Sequence, residues 1–218
     1  MKYTHIIWDF NGTVLNDMQA GLDSTNQMLA ARGLPVLESL DHYRRVFGFP
    51  VKEYYRRLGF DFEREDYHTV LAPMWVELYC KNSASAPLFE GVAPLTAALR
   101  RAGCHQSILS ASQREMLVDQ LRERGALDWF DEIWGLESIH AYGKEGLAQS
   151  WREAHPDARA VLLGDTTHDF EVATLLGADC ILIAAGHHDR ERLCACGVPV
   201  VDSLSCCLPL LLDDGNNI

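Results

Sequence analysis

Asp9 closes an apolar run, Ile6-Ile7-Trp8, and opens the turn Phe10-Asn11-Gly12-Thr13-Val14. A carboxylate at the end of a buried strand is rigidly held yet open at its tip, which suits a nucleophile. Attack on phosphorus would form an aspartyl phosphate and split one hard step into two. Gly12 lets the turn curl so that backbone N–H groups can face a phosphate. The same position also suits an ordinary turn or cap aspartate.

A second run, Val161-Leu162-Leu163-Gly164, ends in Asp165-Thr166-Thr167-His168-Asp169, with two carboxylates four residues apart. Mg²⁺ takes hard oxygen ligands and is usually bound through one or two carboxylates together with phosphate and water. Asp165 with Asp9 would supply those two, and Asp169 would support the loop or a metal-bound water. Asp169 also reads as a helix N-cap. Ser110, with Ala111 and Ser112, follows Ser107-Ile108-Leu109 and offers a hydroxyl to a phosphoryl oxygen or to a helix start. Lys144, in Tyr142-Gly143-Lys144-Glu145-Gly146, offers an ammonium to phosphate or simply to solvent.

The elements that would position these residues are legible as alternation. Ile6–Trp8, Ser107–Leu109, Ala160–Leu163 and Cys180–Ile183 are short apolar runs closed by polar or Gly-containing turns, the pattern of parallel strands buried on both faces. Gln113–Arg124 and Phe170–Leu176 read as helices between them. This predicts an α/β fold, a doubly wound parallel sheet with ligands at the carboxyl ends of its strands, where Asp9, Ser110 and Asp165 fall. From about Asp17 to Ala86 the periodicity is helical: Leu22, Met28 and Leu29 share one face, Tyr54, Tyr55 and Leu58 mark a second helix, and Val70, Leu71, Met74 and Leu78 a third. Asn82–Pro87 reads as a linker back into the sheet. The expected division is a core of residues 1–15 and 87–218 with an all-helical cap domain of residues 16–86 over the site.

Composition restricts the partners. Apolar residues make up 48% and charged residues 23%, and the net charge is −12. That balance predicts an ordinary globular domain, no nucleic-acid partner, since such a partner needs a basic face, and no attraction to anionic lipid. No apolar stretch approaches the roughly 20 residues of a membrane span. The N-terminus has no signal-peptide layout, and seven cysteines suit a reduced compartment, so a cytoplasmic protein is expected.

Taken together and in order, these motifs resemble the haloacid dehalogenase superfamily, and within it the phosphoglycolate-phosphatase-like branch with a helical cap. The Asp-Phe-X-Gly-Thr signature maps onto Asp9–Thr13, the Gly-Asp-X-X-X-Asp signature onto Gly164–Asp169, the strand ending in Ser or Thr onto Ser110, and the family lysine onto Lys144. Pro87-Leu88-Phe89-Glu90-Gly91-Val92 is similar to the segment by which such caps rejoin the core. The resemblance implies a Rossmann-like core and a Mg²⁺-dependent phosphohydrolase acting on a small phosphorylated metabolite as a monomer or homodimer. Asp9 would be nucleophile, and Asp9, the main-chain carbonyl of Asn11 and Asp165 the metal ligands. Gly12, Thr13, Ser110, Ala111 and Lys144 would hold the phosphoryl group, with Asp169 in support, and cap closure would exclude water.

The chain departs from this pattern at Asn11, where the family's phosphatases usually carry a second aspartate as general acid and base. An amide cannot do that work, which is typically worth about 10²–10⁴-fold. Three readings follow. One is a phosphatase favouring acyl or aryl phosphates, or with a substitute acid among His168, His187 and His188. Another is a C–P bond hydrolase similar to phosphonoacetaldehyde hydrolases, using the cap residue Lys52 as a Schiff base. The last is a non-catalytic phosphate-binding protein. Arg44, Arg45, Phe47 and Lys52 are the expected selectors of substrate.

Overall fold

Strict alternation along β1 (His5–Trp8) sends Ile6 and Trp8 into one apolar cluster and Ile7 into another, all three fully buried. Successive strand side chains point to opposite faces, so a strand apolar at every position must be covered on both. The computed structural model describes residues 2–137 and 144–212. Around β1 it arranges β2 (His105–Gln113), β3 (Glu132–Leu136), β4 (Ala160–Gly164), β5 (Asp179–Ile183) and β6 (Val200–Val201) in one parallel sheet of order β3-β2-β1-β4-β5-β6.

Helices cover both faces. On the side of Ile6 and Trp8, α5 (Val92–Arg101) contributes Leu95 and Leu99, and α6 (Arg114–Glu123) contributes Leu117 and Leu121. On the side of Ile7, α7 (Lys144–Ala154) contributes Trp151, and α8 (Thr167–Leu176) contributes Val172 and Ala173. Short helices α9 (Arg190–Cys194) and α10 (Cys207–Leu212) complete the two layers. The strand order reverses at β1, which pairs with β2 on one side and β4 on the other. The ends of these three strands therefore stand side by side at the switch point.

Between β1 and α5 the chain runs through α1 (Met18–Ala30), α2 (Leu40–Val46), α3 (Val51–Arg57), a π-helical turn (Tyr67–Leu71) and α4 (Ala72–Ser83). These helices bury a cluster of their own, with Met28, Leu29, Tyr43, Tyr54, Tyr55 and Leu71 at its centre. The helix expected near Val70–Leu78 exists, but its first turn is the π-helical one. Asp66 caps that turn by accepting from the N–H groups of His68 and Thr69. The stretch read as a linker is helical through Ser83. The outgoing and returning chains pair beside β1, where Asn16 N–H donates to the Pro87 carbonyl and Phe89 N–H to that of Val14. Among the described residues no helix is long and apolar enough to cross a membrane, and all seven cysteines are free thiols.

Trp8 fills the largest space in the β1 core, packs edge-on against Phe130, and leaves its buried indole N–H without a partner. Trp8→Ala is expected to lower unfolding free energy by about 3–5 kcal/mol. Trp8→Phe should cost less than half of that, because it keeps most of the ring and removes the unpartnered donor. Denaturant midpoints of the two variants check the order.

Candidate active site

The register of the three central strands sets the site. Asp9 follows Trp8, and its N–H donates to the Leu163 carbonyl at 2.8 Å, so the end of β1 is level with that of β4. Asp165 follows β4, Asp169 lies in the first turn of α8, and Lys144 is the first residue of α7. The carboxylates of Asp9, Asp165 and Asp169 offer oxygens that all lie within 4.8 Å of one another, and all three residues are buried. Lys144 Nζ donates to Asp9 Oδ1 and to Asp169 Oδ1, each at 2.5 Å. Lys144 is therefore a buried helix-start residue rather than an exposed loop lysine; Tyr142 and Gly143, read with it in the sequence, lie outside the described residues.

Asp169 accepts on its other oxygen from Asp165 N–H, Thr166 N–H and Thr166 Oγ1. Thr166, not Asp169, is the N-cap of α8, and the two form a reciprocal capping box. Asp165 is held from both sides: Oδ1 accepts from Thr13 Oγ1 at 2.9 Å, and Oδ2 from His187 N–H at 2.6 Å. Close approach is possible because Gly12 and Gly186 flank it; a Cβ on either would stand 2.2 Å from Asp165 Oδ2, and Gly12 also has φ +76°.

The electrostatics leave negative charge in excess. Burial opposes the ammonium of Lys144, but Asp169 and Asp9 outweigh it and raise its pKa. Burial likewise opposes ionisation of Asp169, yet Lys144 and the Thr166 donors hold its pKa below the ordinary value. Asp9 is pushed well above its ordinary value, chiefly by burial and only partly offset by Lys144. Burial lifts Asp165 to about 6. Lys144 thus contacts two of the three buried carboxylates, and His187 lowers the pKa of the third, Asp165, without outweighing its burial. An oxygen-only donor set with uncompensated charge fits a hard divalent ion such as Mg²⁺.

Beside this cluster lies a network that sequence reasoning did not anticipate. Asn11 Nδ2 donates to Asp17 Oδ2 at 2.9 Å and to Tyr79 Oη at 2.6 Å, while its Oδ1 accepts from Ser112 Oγ at 2.8 Å. Asp17 also accepts from Gly12 N–H at 2.8 Å and Tyr79 O–H at 2.5 Å, and its Oδ1 lies 3.3 Å from His187 Nε2. Tyr43 Oη sits 3.0 Å from His187 Nδ1. Asp17, Tyr43 and Tyr79 come from the helical insert, and nothing in their local sequence marks them.

The cavity above Asp9 measures about 300 Å³. Asp9, Asn11, Ser110, Ala111, Lys144, Asp169 and His187 line its floor, and Tyr43, Phe47, Phe49, Tyr54, Trp75 and Tyr79 its walls. Gly12 and Thr13, expected to face a phosphate, turn elsewhere: Gly12 N–H donates to Asp17, and the Thr13 hydroxyl supports Asp165. Lys52 is also away from the cavity, its ammonium over the rings of Phe62 and Tyr67. Arg44 spends its guanidinium on the carbonyls of Gly186 and Ala185, and Arg45 is exposed, so of the expected selectors only Phe47 lines the cavity. His188 takes the Thr167 N–H on Nδ1 and is pushed down to about 3 by burial, which keeps it neutral.

His187 is raised to about 9, because Asp17 above all outweighs the burial that opposes its charge. A folded-state value above the ordinary 6.5 means that the pair's stabilisation is complete below pH about 6.5 and lost as pH rises through about 9. In EDTA, stability should fall by on the order of 3 kcal/mol across that window. Asp17→Asn should flatten the dependence; urea midpoints at the two ends of the window check it.

The haloacid dehalogenase-like hydrolase family model matches residues 6–183. Tyrosine-protein kinase PtkA of Mycobacterium tuberculosis is 26% identical over 185 residues, 84% of this chain, and the chain spans only 62% of that relative's length. Phosphoglycolate phosphatase of Synechococcus elongatus is 25% identical over 87% of this chain and 88% of its own. Among solved structures, a haloacid dehalogenase-like hydrolase from Streptococcus pneumoniae superposes with a TM-score of 0.80, at 19% identity over 96% of this chain and 99% of that one. With a family match across most of its length, a switch-point aspartate and a parallel sheet of the same fold, the chain belongs to the haloacid dehalogenase-like hydrolases.

Proposed function

We propose that this hydrolase is a Mg²⁺-dependent phosphohydrolase that acts on a small phosphorylated metabolite through an aspartyl phosphate on Asp9. The observation that carries the reading is the buried cluster in which Lys144 bridges Asp9 and Asp169 while Asp165 stands within reach. Asp9, the main-chain carbonyl of Asn11 and Asp165 would hold the ion. When bound, Mg²⁺ would offset charge on the phosphoryl oxygens and on the carboxylates.

The residues divide the work. Lys144 and the buried Ser110 face the same cavity as Asp9 and hold the phosphoryl oxygens. A carboxylate oxygen of Asp9 forms the new bond to phosphorus as the ester P–O bond breaks, and the leaving oxygen carries away the electron pair. Water then attacks phosphorus, phosphate leaves, and Asp9 is restored. The helical insert acts as a cap, with Arg44 fastened to Gly186 and Ala185, and Arg192 to the Phe47 carbonyl.

Asn11 decides which esters turn over. Its amide cannot protonate the leaving oxygen, so leaving groups that need no proton are favoured. The aromatic walls suit an aryl or otherwise apolar body better than a sugar. Both point to aryl or acyl phosphates. A C–P hydrolase would need a free cavity amine, but among the described residues the only lysine lining the cavity is Lys144, bound to two carboxylates. The binding-only reading loses its support with membership of a hydrolase family.

A second reading keeps the aspartyl phosphate but passes the group to a phenolic hydroxyl. The aromatic cavity and the mycobacterial relatives named as tyrosine kinases favour it. A phenol, with pKa about 10, needs less help from a base than water does. Incubation with labelled acetyl phosphate and a tyrosine peptide separates the readings: label in the peptide supports transfer, and label in free phosphate alone supports hydrolysis.

Wild type is expected to hydrolyse p-nitrophenyl phosphate and acetyl phosphate with Mg²⁺ and to stop in EDTA. Asp9→Asn should lose at least ~10³-fold in kcat. Asn11→Asp should raise turnover of an alkyl phosphate by about 10²-fold or more while changing acetyl phosphate turnover little. Steady-state assays of the three proteins decide this. Full activity of Asp9→Asn would remove the covalent mechanism.

A further inference from the structure

At the end of the sheet remote from Asp9, three strands begin with a metal-binding type of side chain: His5 on β1, His105 on β2 and Glu132 on β3. His155 follows α7 and joins them. Register places His5 directly beside His105. The ring centroids of His5 lie 5.1 Å from His105 and 5.2 Å from His155, and those of His105 and His155 are 5.7 Å apart.

Glu132 Oε1 lies 3.7 Å from His105 Nε2 and 3.3 Å from His155 Nε2. His155 Nδ1 is 2.9 Å from the Trp151 carbonyl, a contact that only a protonated Nδ1 can make, so in the neutral ring Nε2 presents a lone pair. His105 Nε2 is shielded from solvent and has no hydrogen-bond partner. Glu132 Oε2 is occupied by Trp134 Nε1 at 2.7 Å and Ser107 Oγ at 3.3 Å, which fixes Oε1 toward the two rings. His105 Nδ1 lies 3.7 Å from Asp131 Oδ2, so with the ring proton on that side its Nε2 is an acceptor, and three acceptor atoms converge.

We propose that His105, Glu132 and His155 bind a divalent transition-metal ion of the zinc class, with His5 as the nearest further imidazole. Two imidazoles and a carboxylate are a Zn²⁺-type donor set, unlike the oxygen-only set beside Asp9. Bonds of about 2.0–2.1 Å in a tetrahedron require donor separations of about 3.3–3.4 Å. Two of the three separations already match or approach this, and all three donor atoms lie within 4.8 Å of one another. The outer contacts are those such a site needs: a backbone carbonyl orients one imidazole, and Trp134 and Ser107 hold the carboxylate. The side chains of His105, Glu132 and His155 remain 34%, 31% and 15% exposed, so an ion has access. Bound there, it would clip the end of α7 to the start of β2 and β3.

The test uses the full chain in an Asp9→Asn background, which weakens competition from the carboxylates at the opposite end. After chelation and dialysis, CoCl₂ is titrated in and visible absorption read; ZnCl₂ is then added as competitor and melting followed. One equivalent of Co²⁺ should give the strong visible bands of a four-coordinate nitrogen–oxygen site without near-ultraviolet thiolate bands. Zn²⁺ should displace it and raise Tm by about 5 °C at 100-fold excess over Kd. Glu132→Gln, which keeps an acceptor for Trp134, and His155→Gln should each weaken Co²⁺ binding at least tenfold. Absence of stoichiometric binding, thiolate bands, or unchanged affinity in both variants would overturn the proposal.

Discussion

Everything at the carboxyl end of the sheet depends on keeping three carboxylates and one ammonium out of water within a few ångströms. Isolated charges do not tolerate such burial; they survive when paired and fully hydrogen-bonded. Lys144 meets that demand for Asp169 and in part for Asp9, with two contacts of 2.5 Å. The remaining oxygens are taken up locally. Thr166 and two backbone N–H groups satisfy Asp169, and Thr13 and His187 N–H satisfy Asp165. The glycines at 12 and 186 follow from the same constraint, since a side chain there would occupy the space of the Asp165 carboxylate. The charge left over would be offset by the proposed divalent ion, and only with it in place would an anionic phosphoryl group be tolerated beside three carboxylates.

The amide at position 11 is built into the second constraint, contact between sheet and helical insert. It gives two hydrogen bonds to Asp17 and Tyr79 of the insert and takes one from Ser112 of β2. A carboxyl group there could donate to Asp17 at 2.9 Å only while protonated, the form a general acid needs, and would keep one donor where the amide has two. The residue that removes a general acid therefore also fastens the insert over the cavity. Arg44 and Arg192, whose guanidinium groups end on carbonyls of the opposite unit, secure the same closure. The absence of an ionisable proton and a set of hydrogen bonds to the insert are two consequences of one amide. Both bear on the proposed preference for substrates whose leaving group needs no proton and whose body is apolar.

Much of this was legible in the sequence, for a physical reason. Buried parallel strands are apolar at nearly every position, so β1, β4 and β5 stand out, whereas β2 shows only Ile108-Leu109 of such a run. The polar residue ending each run then marks the site. Strands β3 and β6 lack that signal: β3 is half-buried at the sheet edge and carries Glu132 and Gly135, and β6 is two residues long. The helix α2 escaped because seven residues make too few turns to show a period. Asp9, Asp165, Asp169, Ser110 and Lys144 were found by motif, whereas Asp17, Tyr43 and Tyr79 were not. Their role comes from where the insert folds back onto the sheet, which is a tertiary fact with no local pattern. Gly12 and Thr13 were read correctly as turn residues, but the turn directs them to Asp17 and Asp165 instead of into the cavity.

The two ends of the sheet are joined by α7, and that helix shows how electrostatics has been subordinated to position. A cation at a helix N-terminus opposes the macrodipole by roughly 0.3–1 kcal/mol, whereas an anion there is favoured. Asp169, in the first turn of α8, has the favourable arrangement; Lys144, opening α7, has the unfavourable one. The two carboxylates that hold Lys144 offset the penalty and raise its pKa against burial. Its place is fixed from the far end by packing: Trp151 is fully buried against the sheet and donates to Ser107, and His155 ties back to the Trp151 carbonyl. Displacement at that end would be carried along eleven residues of helix to the ammonium that touches Asp9. A group of imidazoles and a carboxylate that clamps the start of the strands to the end of α7 would therefore also govern the precision with which Lys144 meets Asp9.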